Sequence, residues 1–128
     1  MRLLLDTHSF LWFVTRDPRL SATASALVSD PNNEVLLSPA SYWEVAIKVS
    51  LGKYPLTVPF ETFFTTALTR SAFQILPVEI RHAAILSALP MHHKDPFDRM
   101  IAAQALSESM PVISVDPALD PYGVTRLW

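Results

Sequence analysis

Residues 2–8 read RLLLDTH, and this stretch determines the fold class that we predict. Its three leucines form a short β-rich run over Arg2–Leu5, and the run ends at Asp6. Outward from this stretch, similar short runs alternate along the chain with longer segments of helical pattern. Such alternation predicts a parallel sheet with helices packed on its faces.

The pattern predicts five strands and five helices. The predicted strands are Arg2–Leu5, Glu34–Leu37, Phe73–Leu76, Pro111–Ser114 and Thr125–Leu127. The predicted helices run from a cap at Ser21 to Ser29, from Pro39 to a stop at Gly52, over Phe60–Ser71, over Glu79–Leu89, and from a cap at Asp95 through Pro96 to about Ser109.

The composition is that of a folded protein, with 50% hydrophobic and 17% charged residues. Because 128 residues suit one domain, we expect residues 1–128 to form a single domain. No apolar run approaches the ~20 residues that span a bilayer, and no signal-peptide cleavage region follows Arg2. We therefore expect a cytoplasmic protein that makes no membrane contact.

Three counts exclude whole classes of function. The absence of cysteine excludes disulfides and thiolate metal sites, so any metal must be held by carboxylate or imidazole groups. The two glycines, Gly52 and Gly123, cannot build a P-loop or a dinucleotide-binding turn. The net charge of −2 argues against a globally basic nucleic-acid binder, so a nucleic-acid substrate would need a local basic patch.

Four acidic residues are expected to converge at one edge of the sheet. Asp6 and Asp116 each follow a predicted strand, and ligands of open parallel sheets bind at the carboxyl ends of strands. Glu44 and Asp98 lie in the early turns of predicted helices that open on the same edge. A divalent cation would relieve the repulsion among these charges, and oxygen-only ligation favours Mg²⁺ or Mn²⁺.

Each acid also has an ordinary structural interpretation. Asp6 could be a turn or cap residue, and Asp116 could begin a β-turn before a proline. Glu44 stands three residues after Ser41, the spacing of a capping box, and four before Lys48, the spacing of a helix ion pair. Asp98 is also favoured at a helix start by the helix dipole.

The histidines do not predict a zinc site. His92 and His93 are adjacent on a predicted loop beside Asp95, where neighbouring side chains point apart, and no third ligand stands at a metal-like spacing. We assign no role to His8 or His82.

Four segments in order along the chain resemble the PIN-domain family, in particular VapC-type toxins. They are LLLDTHSFLW at 3–12, SPASYWEVAIKVSLGK at 38–53, LPMHHKDPFDRMIAAQAL at 89–106 and VISVDPALDPYGV at 112–124. The block HKDPFDRMIAAQA is the most specific, because helix chemistry alone does not require an acid three residues after Asp-Pro. One departure is Leu119, which stands where the family frequently has an aromatic residue.

The resemblance implies a three-layer α/β/α sandwich around a central, mainly parallel sheet of four to five short strands. It also implies an Mg²⁺- or Mn²⁺-dependent endoribonuclease, the toxin of a toxin–antitoxin pair, with RNA as substrate and a small cognate antitoxin as partner. The family's catalytic and metal-binding acids fall on Asp6, Glu44, Asp98 and Asp116.

Further residues are assigned supporting roles. The resemblance places Asp95 as a helix cap beside the site and Ser114 as the hydroxyl that precedes the last acid, and we add Thr7 as a further supporting residue. The candidates for contacts with RNA phosphates are Lys48, Lys94 and Arg99, although each could equally be a solvated ion-pairing residue.

Two alternatives remain open at this point. The first is a PIN-like module that binds RNA or a partner without cutting it. The second is another Mg²⁺-binding α/β module, of the phosphoryl-transfer or receiver type. A receiver would want neighbouring acids after the first strand and a lysine after the last strand. Here Asp6 is followed by Thr7, and no lysine lies beyond Lys94.

Apolar and aromatic residues are in surplus for one small core. We therefore expect a homodimer as well as an inhibitory protein partner. The residues behind this expectation are Phe10, Trp12, Phe13, Tyr42 and Trp43.

Overall fold

The computed structural model describes residues 1–128. The strands are β1 (Arg2–Leu5), β2 (Glu34–Leu37), β3 (Gln74–Ile75), β4 (Val112–Ile113) and β5 (Arg126–Leu127). The helices are α1 (Thr7–Val14), α2 (Ala22–Ser29), α3 (Pro39–Ser50), α4 (Phe60–Ser71), α5 (Ile80–Ala88), α6 (Pro96–Glu108) and a 3₁₀ helix (Pro117–Tyr122).

All five strands form one parallel sheet in the order β3-β2-β1-β4-β5. The first strand lies in the centre, where Leu5 is in register with Leu37 of β2 and Ile113 of β4. Because the strands are parallel, their carboxyl ends meet at one edge of the sheet. Asp6 therefore emerges at that edge, next to Ser38 and Ser114, which directly follow the neighbouring strands β2 and β4.

Alternate residues of the central strand face two separate hydrophobic cores, as the period of a strand requires. Leu3 and Leu5 belong to a core that also takes residues from α1, α2 and α4. Leu4 belongs to the opposite core, which includes Ile101 and Ala105 of α6. Helices thus cover both faces of the sheet, which confirms the three-layer α/β/α architecture with a parallel sheet.

Local capping explains where most of the helices begin. The Ser21 hydroxyl accepts a hydrogen bond from the Ala24 amide, and the Ser38 hydroxyl accepts one from the Ala40 amide. The Asp95 cap is also confirmed, since its carboxylate accepts from the Phe97 amide. None of the helices is both long and apolar enough to cross a membrane.

Three features differ from the sequence prediction. The 3₁₀ helix Pro117–Tyr122 was not predicted, because Asp116 was interpreted as the start of a β-turn. The helix α1 was not predicted, because the residues after Asp6 carry no separating glycine or proline and the helix begins directly at the end of the strand. The strands β3, β4 and β5 are two residues each, shorter than predicted. Hydrogen bonds to the neighbouring strands continue beyond them, from the Leu76 amide to the Leu37 carbonyl and from the Ser114 amide to the Leu127 carbonyl. The boundaries therefore moved, but the order of the elements did not.

Candidate active site

Asp6 lies in the floor of the candidate site, where β1 passes into α1. Its Oδ1 accepts a 2.8 Å hydrogen bond from the Ser9 amide, so Asp6 is also the N-cap of α1. Burial raises the pKa of the Asp6 carboxyl, and hydrogen bonds from the Ser114 and Ser9 side chains oppose that rise. The cap interpretation of Asp6 is therefore correct, and it does not remove Asp6 from the site.

Glu44 lies on α3 and is buried, with 4% of its surface exposed. Its Oε2 accepts a 2.8 Å hydrogen bond from Lys48 Nζ, which confirms the ion pair predicted from the spacing. Its Oε1 is buried without a hydrogen-bond partner. The capping-box interpretation is wrong, because the helix begins after Ser38 and the Ser41 hydroxyl instead accepts from Thr7 Oγ1.

Asp98 lies in the first turn of α6 and experiences the strongest carboxylate repulsion in the site. Desolvation, followed by the negative charges of Asp95, Asp6 and Glu44, raises its pKa to about 7. Asp95 is close because its carboxylate caps the same helix, accepting from the Phe97 and Asp98 amides. The charges on β1, α3 and α6 are therefore close enough to interact directly.

Asp116 lies at the margin of this group and is connected to it by His93. The His93 Nε2 is 2.9 Å from Asp116 Oδ2 and 3.2 Å from Asp98 Oδ2. Desolvation raises the pKa of Asp116, but hydrogen bonds from the Ala118 amide and His93, with the charge of Arg126, bring it below its ordinary value. Asp116 also caps the 3₁₀ helix through its bond with Ala118.

The arrangement fits a hard divalent cation. The charges of Asp6 and Glu44 both act on Asp98, and one buried oxygen of Glu44 has no donor to satisfy it. A buried carboxylate oxygen without a partner is costly unless a cation or water meets it. All available oxygen donors are of the kind that Mg²⁺ or Mn²⁺ accepts.

Comparison with known sequences agrees with this arrangement. Residues 3–123 match the PIN domain, which is nearly the whole chain. The chain belongs to the PIN domain family. Ribonuclease VapC16 of Mycobacterium tuberculosis is 40% identical over 73 residues, a match that covers 54% of this chain and 52% of that relative. The matched segment thus spans about half the length of the curated relative.

Solved structures share the fold of this PIN domain. VapBC2 from Rickettsia felis, bound to a promoter DNA fragment, superposes with a TM-score of 0.72 at 14% identity, covering 99% of this chain and 98% of the other. FitAcB from Neisseria gonorrhoeae gives 0.67 at 23% identity, covering 98% and 96%. VapBC-1 from nontypeable Haemophilus influenzae gives 0.64 at 16% identity, covering 99% and 97%.

The three basic residues proposed to contact RNA differ in position within the PIN domain. Lys94 is exposed beside the acids, where a substrate can reach it. Lys48 is held by Glu44 and so belongs to the site itself. Arg99 was assigned wrongly, because it is 9% exposed and its guanidinium donates to the carbonyls of Leu86, Leu89 and Pro90.

His93 is the site residue that the sequence interpretation missed. Its imidazole was set aside because the neighbouring histidines diverge and no third ligand stands nearby in sequence. The structure supplies the partners from distant segments, since the ligand atoms of His93, Asp98 and Asp116 all lie within 4.8 Å of one another. A cavity of about 910 Å³ between α1, α2 and α4 lies elsewhere in the PIN domain and contains none of these residues.

Proposed function

We propose that this PIN domain is an Mg²⁺- or Mn²⁺-dependent endoribonuclease and the toxin of a toxin–antitoxin pair. The observation that carries the proposal is the placement of Asp98, where desolvation and the negative charges of Asp95, Asp6 and Glu44 raise its pKa to about 7. Repulsion between buried carboxylates lowers the stability of the fold unless a bound cation offsets it. The relative named Ribonuclease VapC16 supports RNA as the substrate.

The side chains divide into ligands and supports. Asp6, Glu44 and Asp98 would hold one or two ions, and Asp116 would complete the site. A bound ion of this kind lowers the pKa of a water ligand and polarises a phosphodiester. Asp6 is fixed for this role by the Ser9 amide, and Lys48 holds Oε2 of Glu44, which leaves the buried Oε1 free of any hydrogen bond.

We expect cleavage to depend on the divalent ion. A single-stranded RNA with a fluorophore and a quencher should be cut with Mg²⁺ or Mn²⁺ and should stay intact with EDTA. Thermal unfolding measured at increasing Mg²⁺ or Mn²⁺ concentrations should show a rising melting temperature, because an ion that binds only the folded state stabilises it.

Either of two results would contradict this proposal. Ion binding without RNA cleavage would favour the alternative of a non-catalytic module. Activity restored by Zn²⁺ with no response to Mg²⁺ or Mn²⁺ would contradict the oxygen-ligand site.

We also propose that the protein assembles with a small antitoxin and forms a homodimer. The structure fully buries Phe10 and partly buries Phe13 and Tyr42, so these do not contribute an exposed surface. Trp12 is half-buried, and Arg19 lies over its ring at 5.0 Å. Trp43 is 62% exposed.

An exposed apolar stripe on α3 provides the surface for self-association. Trp43, Ile47 and Leu51 are 62%, 38% and 62% exposed and stand four residues apart, on one side of the helix and its end. We expect Leu51→Glu to weaken dimerisation at least about tenfold, because the interface would have to bury an unpaired carboxylate. Sedimentation equilibrium measures this constant.

The matched control is Ile80→Glu, which places the same charge at another apolar residue that is 90% exposed. This variant should dimerise as the wild type does. A monomeric wild type at micromolar concentration would contradict the prediction, and so would dissociation caused by Ile80→Glu alone.

A further inference from the structure

The hydrogen bonds of His93 define which of its nitrogens carries the proton. The Asp95 backbone N–H donates to His93 Nδ1 at 3.1 Å. A ring nitrogen that accepts a hydrogen bond has a free lone pair, so in the neutral ring the proton lies on Nε2. His93 therefore presents an N–H group, and not a lone pair, to the carboxylates.

That N–H group lies between two carboxylates from different parts of the chain. Its nitrogen is hydrogen-bonded to Asp116 Oδ2 at 2.9 Å and lies 3.2 Å from Asp98 Oδ2, so one ring contacts both carboxylates. The only other donor to the Asp116 carboxylate is the Ala118 amide of its own 3₁₀ helix. His93 thus links the Asp116 carboxylate, by a hydrogen bond, to the Asp98 carboxylate, by close contact.

The backbone of His93 is fixed at the same junction. Its N–H donates to the Tyr122 hydroxyl at 2.8 Å, and Tyr122 ends the 3₁₀ helix that Asp116 begins. The segment before α6 therefore holds both ends of the 3₁₀ helix, one through the His93 ring and one through its backbone. The ring has little freedom to turn its Nε2 elsewhere.

We propose that His93 is a positioning residue that joins Asp116 to Asp98, and thereby brings the fourth acid to the site. His93 acts as a hydrogen-bond donor and not as a metal ligand. Its Nε2 and one oxygen each of Asp98 and Asp116 do lie within 4.8 Å of one another, a spacing that could hold a metal ion. Ligation through Nε2 would need the proton on Nδ1, where the Asp95 N–H already points. The effect of His93 on cleavage rests on the proposed function; its effect on Asp116 does not.

Two substitutions distinguish the donor function of Nε2 from the acceptor function of Nδ1 in the His93 ring. In His93→Asn, the side-chain oxygen can still accept from the amide two residues later, but nothing reaches Asp116. In His93→Gln, the amide nitrogen extends to about the position of Nε2 and can still donate. Both variants should fold, and their melting temperatures without metal measure this.

The expected result is a separation of the two variants. His93→Asn should weaken Mn²⁺ binding about tenfold or more, which is the cost typical of losing a group that orients a ligand, whereas His93→Gln should stay within about threefold of the wild type. Electron paramagnetic resonance titration gives these affinities without RNA. Imidazole ¹⁵N shifts of the metal-free protein at pH 8 should place the His93 proton on Nε2.

A double-mutant cycle tests whether His93 acts through Asp116. Adding His93→Asn to Asp116→Ala should weaken Mn²⁺ binding no further, because alanine at position 116 already removes the oxygen that accepts from His93. Multiplicative losses, unaltered Mn²⁺ binding by His93→Asn, or a proton on Nδ1 would each overturn the proposal. If the wild type binds Mn²⁺ but leaves RNA uncut, the proposed function fails while these affinities still decide the role of His93.

Discussion

Asp98→Asn is expected to reduce RNA cleavage by more than about 100-fold, because even a group that only orients a metal ligand contributes about 10–100-fold. Asparagine has about the same size as aspartate, and its backbone amide can still donate to the Asp95 cap. The helix α6 should therefore form unchanged. The side chain at position 98 loses its negative charge, and an amide nitrogen replaces one of its two carboxylate oxygens. Single-turnover cleavage at saturating Mg²⁺ measures the effect.

The same substitution should stabilise the metal-free protein at high pH. The folded-state pKa of Asp98 is about 7, above the ordinary 3.8, so folding favours its protonated form. The wild type therefore loses stability as the pH rises from about 4 to 7, where Asp98 ionises among other acids. At pH 8 in EDTA, we expect Asp98→Asn to be about 1–3 kcal/mol more stable, and at pH 4 about equal.

Asp95→Asn is the control for both measurements. Asparagine caps a helix about as well as aspartate, so this variant should keep most of its activity. It also removes the charge nearest in sequence to Asp98 and should give part of the stabilisation at pH 8. If Asp98→Asn cleaves RNA at the wild-type rate at the same Mg²⁺ concentration, Asp98 only stabilises the start of the helix and is not a metal ligand.

Arg99→Met should unfold at a temperature roughly 8–15 °C lower than the wild type, which corresponds to about 2–4 kcal/mol. The Arg99 guanidinium donates to three backbone carbonyls at 3.3–3.4 Å and to the Met91 sulfur at 2.8 Å. Methionine fills much of the space but leaves these carbonyls without their donor. Since they belong to the segment that precedes His93, cleavage should fall as well.

Lys94→Met is the matched control for Arg99. Lys94 is exposed and makes no hydrogen bond or ion pair in the structure, so its loss should leave the melting temperature unchanged. It should raise the KM for RNA and reduce the salt dependence of binding, as expected of a phosphate contact. If Arg99→Met instead has wild-type stability and a raised KM for RNA, Arg99 contacts the substrate and the structural role proposed for it is wrong.

Some features of the fold could be predicted from short stretches of sequence. The strands Arg2–Leu5 and Glu34–Leu37 and the helix Phe60–Ser71 occur with the predicted bounds. Each is a run of uniform pattern in which local propensity and the hydrophobic pattern agree. The helix after Asp6 was missed because no breaking residue separates it from the strand.

The site was only partly readable, because residue spacing does not reveal which interaction a side chain makes. Arg99 follows Asp98 directly, yet it is buried, and its guanidinium donates to backbone carbonyls at the end of α5. His93 needed partners 5 and 23 residues further along the chain, at Asp98 and Asp116. Contacts of this kind depend on how α6 and the 3₁₀ helix pack beside the sheet.

The sequence by itself determined the alternation of strands and helices and the placement of acids after strands, since both follow from local pattern and from the geometry of a parallel sheet. Only the tertiary structure decided how the acids are grouped. It places Asp6 and Glu44 where their charges raise the pKa of Asp98, and it connects Asp116 to Asp98 through His93. The physical reason is that distances between segments are set by packing on the sheet, which no single segment encodes.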